Sequence, residues 1–83
     1  MNQSVKNNDV TKSLHIYTQV NEIVTKLTQI RKDAKFSQSF MADWLNVSRK
    51  KINQFENGKF DFDLMINYAE KLSVDIEIKY KIN

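Results

Sequence analysis

The chain has 83 residues, one glycine, no cysteine and a formal net charge of +3. A domain this small has a marginal core unless something supplements it; with no cysteine, neither disulfides nor a thiolate metal site can do so, which leaves oligomerisation. No apolar run approaches the roughly 20 residues of a membrane span, and the polar N-terminus lacks a signal-peptide core, so the expected location is cytoplasmic.

In chain order, Met1 to Ser13 (MNQSVKNNDVTKS) is polar and aperiodic, and is expected to be a disordered arm. Next, Tyr17, Val20, Ile23, Val24, Leu27, Ile30 and Ala34 recur at three- and four-residue steps. That spacing predicts an amphipathic helix over roughly 18–34, with Thr18 as a candidate cap. Leu14 and Ile16 either extend this helix or form a short extended segment. Ser37 is a good N-cap for a second helix over 38–45, which would bury Met41, Ala42 and Leu45. Asn46 then suits a left-handed C-terminal position. Ser48 caps a third helix, about 49–57, closed by Asn57-Gly58, and Asp61 caps a fourth, about 62–72. The fourth helix carries Phe62, Met65, Ile66, Ala69 and Leu72 on one face.

The period changes at the end of the chain. Val74, Ile76, Ile78, Tyr80 and Ile82 alternate with Asp75, Glu77, Lys79 and Lys81, which predicts a half-buried strand. Nothing else in the chain reads as a partner strand, and a lone strand leaves its backbone groups unpaired. Pairing with the same strand of a second copy resolves this. In an antiparallel pair centred on Ile78, Asp75 lies opposite Lys81 and Glu77 opposite Lys79, while Ile76 faces Tyr80 and Val74 faces Ile82. Each such pair contributes about 0.2–1 kcal/mol. The alternatives are a strand folded back on its own helices, or a frayed tail. The chain thus divides into the arm at 1–13, a helical domain at 14–73 and a dimerisation strand at 74–83.

Charge is unevenly spread. From Arg31 to Lys59 there are seven basic and three acidic side chains, whereas residues 60–83 hold three basic and five acidic ones. The third helix presents Arg49, Lys50, Lys51, Asn53 and Gln54 on one side, and Ile52 and Phe55 on the other. Arg, Lys, Asn and Gln are the side chains that can make bidentate contacts to guanine and adenine edges in the DNA major groove. The bland alternative is a solvated basic face. Catalysis has little to work with. His15 is the sole histidine and has no acidic neighbour at ligand spacing, and with Gly58 as the lone glycine no Gly-rich phosphate loop is possible. A non-enzyme without metal, cofactor or small-molecule substrate is expected.

The stretch Ser37–Lys59 (SQSFMADWLNVSRKKINQFENGK) resembles the lambda-repressor-like, Xre-type helix-turn-helix family. The matching residues are Ser37-Gln38 opening helix two, Met41-Ala42 within it, Val47-Ser48 at the turn, Ile52, the closing Phe55-Glu56-Asn57-Gly58-Lys59, and Arg31 in helix one. The resemblance covers about residues 20–73. It implies a mainly α fold, a four- or five-helix DNA-binding domain, here followed by a C-terminal β-strand pairing across a homodimer. It further implies base contacts from Arg49, Lys50 and Gln54, with Lys51 and Asn53 beside them. Phosphate contacts would come from Ser37, Gln38, Ser48, Asn57 and Lys59, and Arg31 with Glu56 would form a structural ion pair. Departures from the pattern are Lys35 and Asn46 where the family usually has glycine, and a connection after Gly58 about two residues short. Phe40 and Trp44 lie four apart at positions the family generally keeps polar. Either Leu14–Tyr17 folds over them or they form a partner-binding patch.

Tyr68-Ala69-Glu70-Lys71-Leu72 followed by an alternating strand is similar to HipB-like antitoxins, small dimers that repress their own operon and bind a cognate toxin. The expectation is therefore a homodimeric transcriptional repressor on an inverted-repeat operator, acting as the antitoxin of a toxin-antitoxin operon. Two alternatives stand beside it: a phage or restriction-modification regulator with no toxin partner, and a toxin-neutralising protein whose DNA binding is secondary.

Overall fold

The computed structural model describes residues 3–79, with side chains from His15 onward. It is mainly helical, with four helices in order: α1 (Gln3–Asp33), α2 (Gln38–Leu45), α3 (Arg49–Glu56) and α4 (Phe62–Lys71). Among the described residues there is no strand. No helix is long and apolar enough to cross a membrane.

The first helix begins at Gln3, well before the residue 18 that apolar periodicity predicts, and takes in most of the segment expected to be a disordered arm. No glycine or proline stands in that stretch to stop a helix from continuing upstream. Ile16 lies within α1, so it extends the helix and forms no separate extended piece. From there the apolar stripe behaves as its spacing demands: Val20, Val24 and Leu27 are buried, with Ile16 and Ile23 packed beside them. Its two ends do not follow. Tyr17 is 56% exposed, and Ala34 lies beyond the last helical turn and is also exposed.

The other helices start where their caps predict. The side-chain oxygens of Ser37, Ser48 and Asp61 accept hydrogen bonds from the backbone N–H groups of Phe40, Lys51 and Leu64. Each cap satisfies an N–H that the helix itself leaves free. The helix ends use left-handed residues. Lys35 (φ 66°) and Asn46 (φ 57°) occupy this region where glycine would be least strained. At Lys35 the N–H of Phe36 returns to the carbonyl of Arg31, so the turn is formed intact around a lysine. Gly58 (φ 104°) closes α3, with the N–H of Lys59 bonded to the carbonyl of Gln54.

Met41, Ala42, Ile52, Phe55, Leu64, Met65, Tyr68 and Ala69 complete the core against α1. The fourth helix buries Met65 and Ala69 of the expected face, with Ile66 and Leu72 partly buried against the core, and adds two residues to it. Leu64 and Tyr68 are fully inside, whereas Phe62 is 54% exposed. Phe62 sits in the first turn and pairs with Phe60, ring centroids 6.3 Å apart, outside the core.

The tail after α4 turns through Ser73 (φ 57°), with the N–H of Val74 bonded to the carbonyl of Ala69. It then lies on α1. Burial alternates strictly: Val74, Ile76 and Ile78 are half-buried against the core, and Asp75, Glu77 and Lys79 are exposed. The two-residue period is therefore expressed as an extended segment folded onto the chain's own helices. Tyr80 and Ile82, the other two residues of the expected dimer strand, lie outside the described residues.

Candidate nucleic-acid interface

Helical geometry sorts the residues of α3. At 100° per residue, Ile52, Phe55 and Glu56 share one arc and Lys50, Asn53, Gln54 and Asn57 the opposite one, with Arg49 and Lys51 at its edges. The observed burial agrees. Ile52 and Phe55 are buried; Arg49, Lys50, Lys51, Asn53 and Asn57 are exposed, and Gln54 is half-buried. A shallow hollow lined by Gln38, Arg49, Lys50 and Asn53 marks where α2 meets this face.

Beneath the face is a buried polar network. The Glu56 carboxylate accepts four hydrogen bonds: from Arg31 Nε (2.7 Å) and the Tyr68 hydroxyl (2.6 Å) at Oε2, and from Arg31 Nη2 (2.9 Å) and Gln38 Nε2 (3.0 Å) at Oε1. Arg31 Nη1 donates to the carbonyl of Phe36 at 2.7 Å. The two charged side chains are 8% and 4% exposed. Burial alone would push the Glu56 carboxyl up, but the donors from Arg31, Tyr68 and Gln38 outweigh it and hold the group below its ordinary value. The hydrogen bond to Glu56 raises Arg31, while burial beside that carboxylate lifts the Tyr68 hydroxyl far above the usual phenol range. The Arg31–Glu56 pair expected from the family resemblance is thus a bidentate, desolvated contact. No buried side-chain nitrogen or oxygen among the described residues lacks a partner.

Gln38 links this network to the surface. Its amide donates to Glu56 and its carbonyl oxygen accepts from Asn53 Nδ2 at 3.4 Å. The exposed face of α3 is therefore tied to the ion pair that joins α1 to α3. Of the other expected phosphate ligands, Ser37 and Ser48 spend a hydroxyl lone pair on their own helix caps and keep the proton free to donate. Asn57 Nδ2 is turned back onto the carbonyl of Asn53 at 2.8 Å. Lys59 is exposed, just past Gly58.

Lys51 stands apart from the other cations of α3. Its ammonium meets Asp61 Oδ2 at 2.9 Å, and this contact, followed by the Leu64 N–H, holds the Asp61 carboxyl below its usual range. Asp61 thereby caps α4 and anchors Lys51, a double role the sequence did not reveal. Exposed Phe60 adjoins Lys51, Gln54 and Lys59 along the same flank.

On the outer side of α2, Phe40 and Trp44 are 44% and 39% exposed. Of the segment expected to cover them, Tyr17 is itself exposed and the Leu14 side chain lies outside those described. Phe40 and Trp44 stack with Phe36 instead, at ring-centroid distances of 4.7 Å (Phe36–Phe40), 5.3 Å (Phe40–Trp44) and 5.9 Å (Phe36–Trp44). Lys71 Nζ lies 5.5 Å from the centre of the Trp44 ring. Among the described residues no cluster of His, Cys, Asp and Glu is arranged to hold a metal ion. Comparison with known proteins finds no match to the chain among family models, curated proteins or solved structures.

Proposed function

We propose that this chain is a homodimeric, sequence-specific DNA-binding repressor of the lambda-repressor-like, Xre type. One observation carries the reading. Two short helices joined by a three-residue turn place Arg49, Lys50, Asn53 and Gln54 on the outer face of α3. The inner face of the same helix is locked to a buried ion pair. A rigid helix with base-reading side chains outward is what major-groove recognition needs, because preformed geometry spares the cost of ordering on binding. Arg49 and Lys50 suit guanine O6 and N7; Gln54 and Asn53 suit adenine. Lys51, held by Asp61, serves the position of the α3–α4 corner more than base reading. Lys59 and the free N–H groups at the start of α2 suit phosphate.

The terminal strand supplies the two-fold axis. Pairing of 74–82 with its counterpart would set two copies of α3 about one helical turn of DNA apart, on an inverted repeat. Selection of bound duplexes from a random-sequence pool tests both parts together. The expected outcome is an inverted repeat with half-site centres about 10 base pairs apart. Recovery of no common sequence would contradict it.

The solvent-facing Phe36–Phe40–Trp44 stack favours a second activity, binding of a protein partner such as a cognate toxin, because DNA recognition by α3 leaves these rings unused. Phe40→Glu or Trp44→Glu is expected to abolish co-purification of a neighbouring gene product while leaving the affinity for the selected duplex unchanged.

A further inference from the structure

The helix-facing edge of the C-terminal tail is held by one side chain. Gln19 Nε2 donates to the carbonyl of Lys79 at 2.6 Å, and Gln19 Oε1 accepts from the Lys79 N–H at 2.7 Å. A primary amide that donates to and accepts from the same residue imitates one rung of an antiparallel ladder. In extended backbone the N–H and C=O of one residue point to the same side, and successive residues alternate. The groups of Asp75, Glu77 and Lys79 therefore face the groove along α1, and those of Ile76 and Ile78 face the opposite edge. Among the described residues the backbone groups of Asp75, Ile76, Glu77 and Ile78 make no hydrogen bond, so Lys79 is what fixes the edge turned toward α1.

The geometry points to Gln19 as the residue that sets the open edge of this segment, and hence the hydrogen-bonding phase in which a second copy of the chain pairs with it. The inference rests on the dimer reading above and deepens it. With Lys79 occupied by Gln19, the free edge belongs to the even-numbered residues. Ile78 of the two copies then exchanges N–H···O bonds across the two-fold axis. The odd-numbered residues fall at the non-hydrogen-bonded positions, where facing Cα atoms are closest, about 4.5 Å against 5.5 Å.

Those positions hold all the charge. Glu77 faces Lys79 of the partner subunit, so this ion pair sits at the closer spacing. A shift of the centre to residue 77 would oppose Glu77 to its own copy, and a shift to residue 79 would oppose two lysines; like charges directly opposite are destabilising. The Gln19 contact sets the hydrogen-bonding phase and the charge pattern sets the centre, and the two are compatible in the pairing centred on Ile78. In the single chain Glu77 and Lys79 already neighbour one another on the exposed face, 3.7 Å apart.

Amide hydrogen exchange of the full chain, read residue by residue by NMR over a hundredfold concentration range, tests this. The Ile76 and Ile78 amides should gain protection with concentration, by about tenfold, since the monomer fraction of a tight dimer falls as the square root of concentration. The Lys79 amide should be protected at every concentration, and Gln19→Ala should remove that protection. Concentration-dependent protection at Glu77 in place of Ile78, or Lys79 protection unchanged in Gln19→Ala, would overturn the inference while leaving a dimer standing. A chain that sediments as a monomer throughout would overturn the dimer reading itself. Charge exchange adds an independent arm. Glu77→Lys should weaken self-association at least tenfold, and Glu77→Lys with Lys79→Glu should restore it. Failure of the double variant to restore it would overturn the register.

Discussion

Glu56 ties three other helices to α3, because its two oxygens gather donors from α1, α2 and α4. Its carboxyl is held below the ordinary value, so it stabilises the fold fully above the unfolded pKa, near 4.5. That contribution is lost as pH falls through the lower folded value. Glu56→Gln would leave Arg31 as an unpaired buried charge, which typically costs about 3–5 kcal/mol. Urea unfolding across pH 3–7 should show this loss at neutral pH and a flatter acid limb in the variant. Lys35 offers the opposite sign. Its left-handed backbone strains any side chain, so Lys35→Gly should stabilise by about 0.5–1 kcal/mol in the same assay. At this scale the sequence was informative where chemistry is local: Ser37, Ser48 and Asp61 announced their caps. It was silent on Tyr68 reaching Glu56, on Asp61 holding Lys51 and on Gln19 reaching Lys79, because these contacts join residues of separate elements.

Among the elements, α3 divides its labour by angle. Arg49→Ala should cost about 1–3 kcal/mol on the cognate duplex and relax preference at one base pair per half-site. Lys59→Ala should weaken all sequences alike and reduce the salt slope by about one. Lys51→Ala should change base preference little and lower stability slightly, since its partner is Asp61 in a partly exposed pair. Titration of cognate and scrambled duplexes at several salt concentrations separates the three. The helices were legible because a 3.6-residue apolar period survives in their cores. Where legibility failed, competing physics is visible. Phe62 kept the period of α4 but lies in its first turn, where Phe60 and solvent take it. The upstream part of α1 has no apolar period, so nothing in its pattern signalled a helix beginning at Gln3.

At the scale of the whole molecule, the tail makes a small helical core into a unit with an open edge. Val74, Ile76 and Ile78 are half-buried against the core, which would hold the segment ready for the pairing proposed above. A chain ending at Ser73 should keep its helical circular-dichroism signal, lose some thermal stability and sediment as a monomer at micromolar concentration. A dimer in that experiment would place the two-fold interface elsewhere. The alternating period of the tail was readable from sequence, since period two persists in the burial. The surface it covers was left between a second copy and the chain's own helices, because alternation alone does not say what the apolar side packs on. The Phe36–Phe40–Trp44 stack was half legible: the four-residue spacing of Phe40 and Trp44 was visible, but Phe36, preceding the helix, joins them only through the turn at Lys35.

Symmetric reading of DNA sequence stands or falls on one binding measurement. Equilibrium titration of the full chain at physiological salt would compare its selected inverted repeat with a scrambled duplex of the same length and composition. Two chains bound per inverted repeat, with a preference of about 10³-fold or more, is the predicted result. Equal affinity for both duplexes would contradict it.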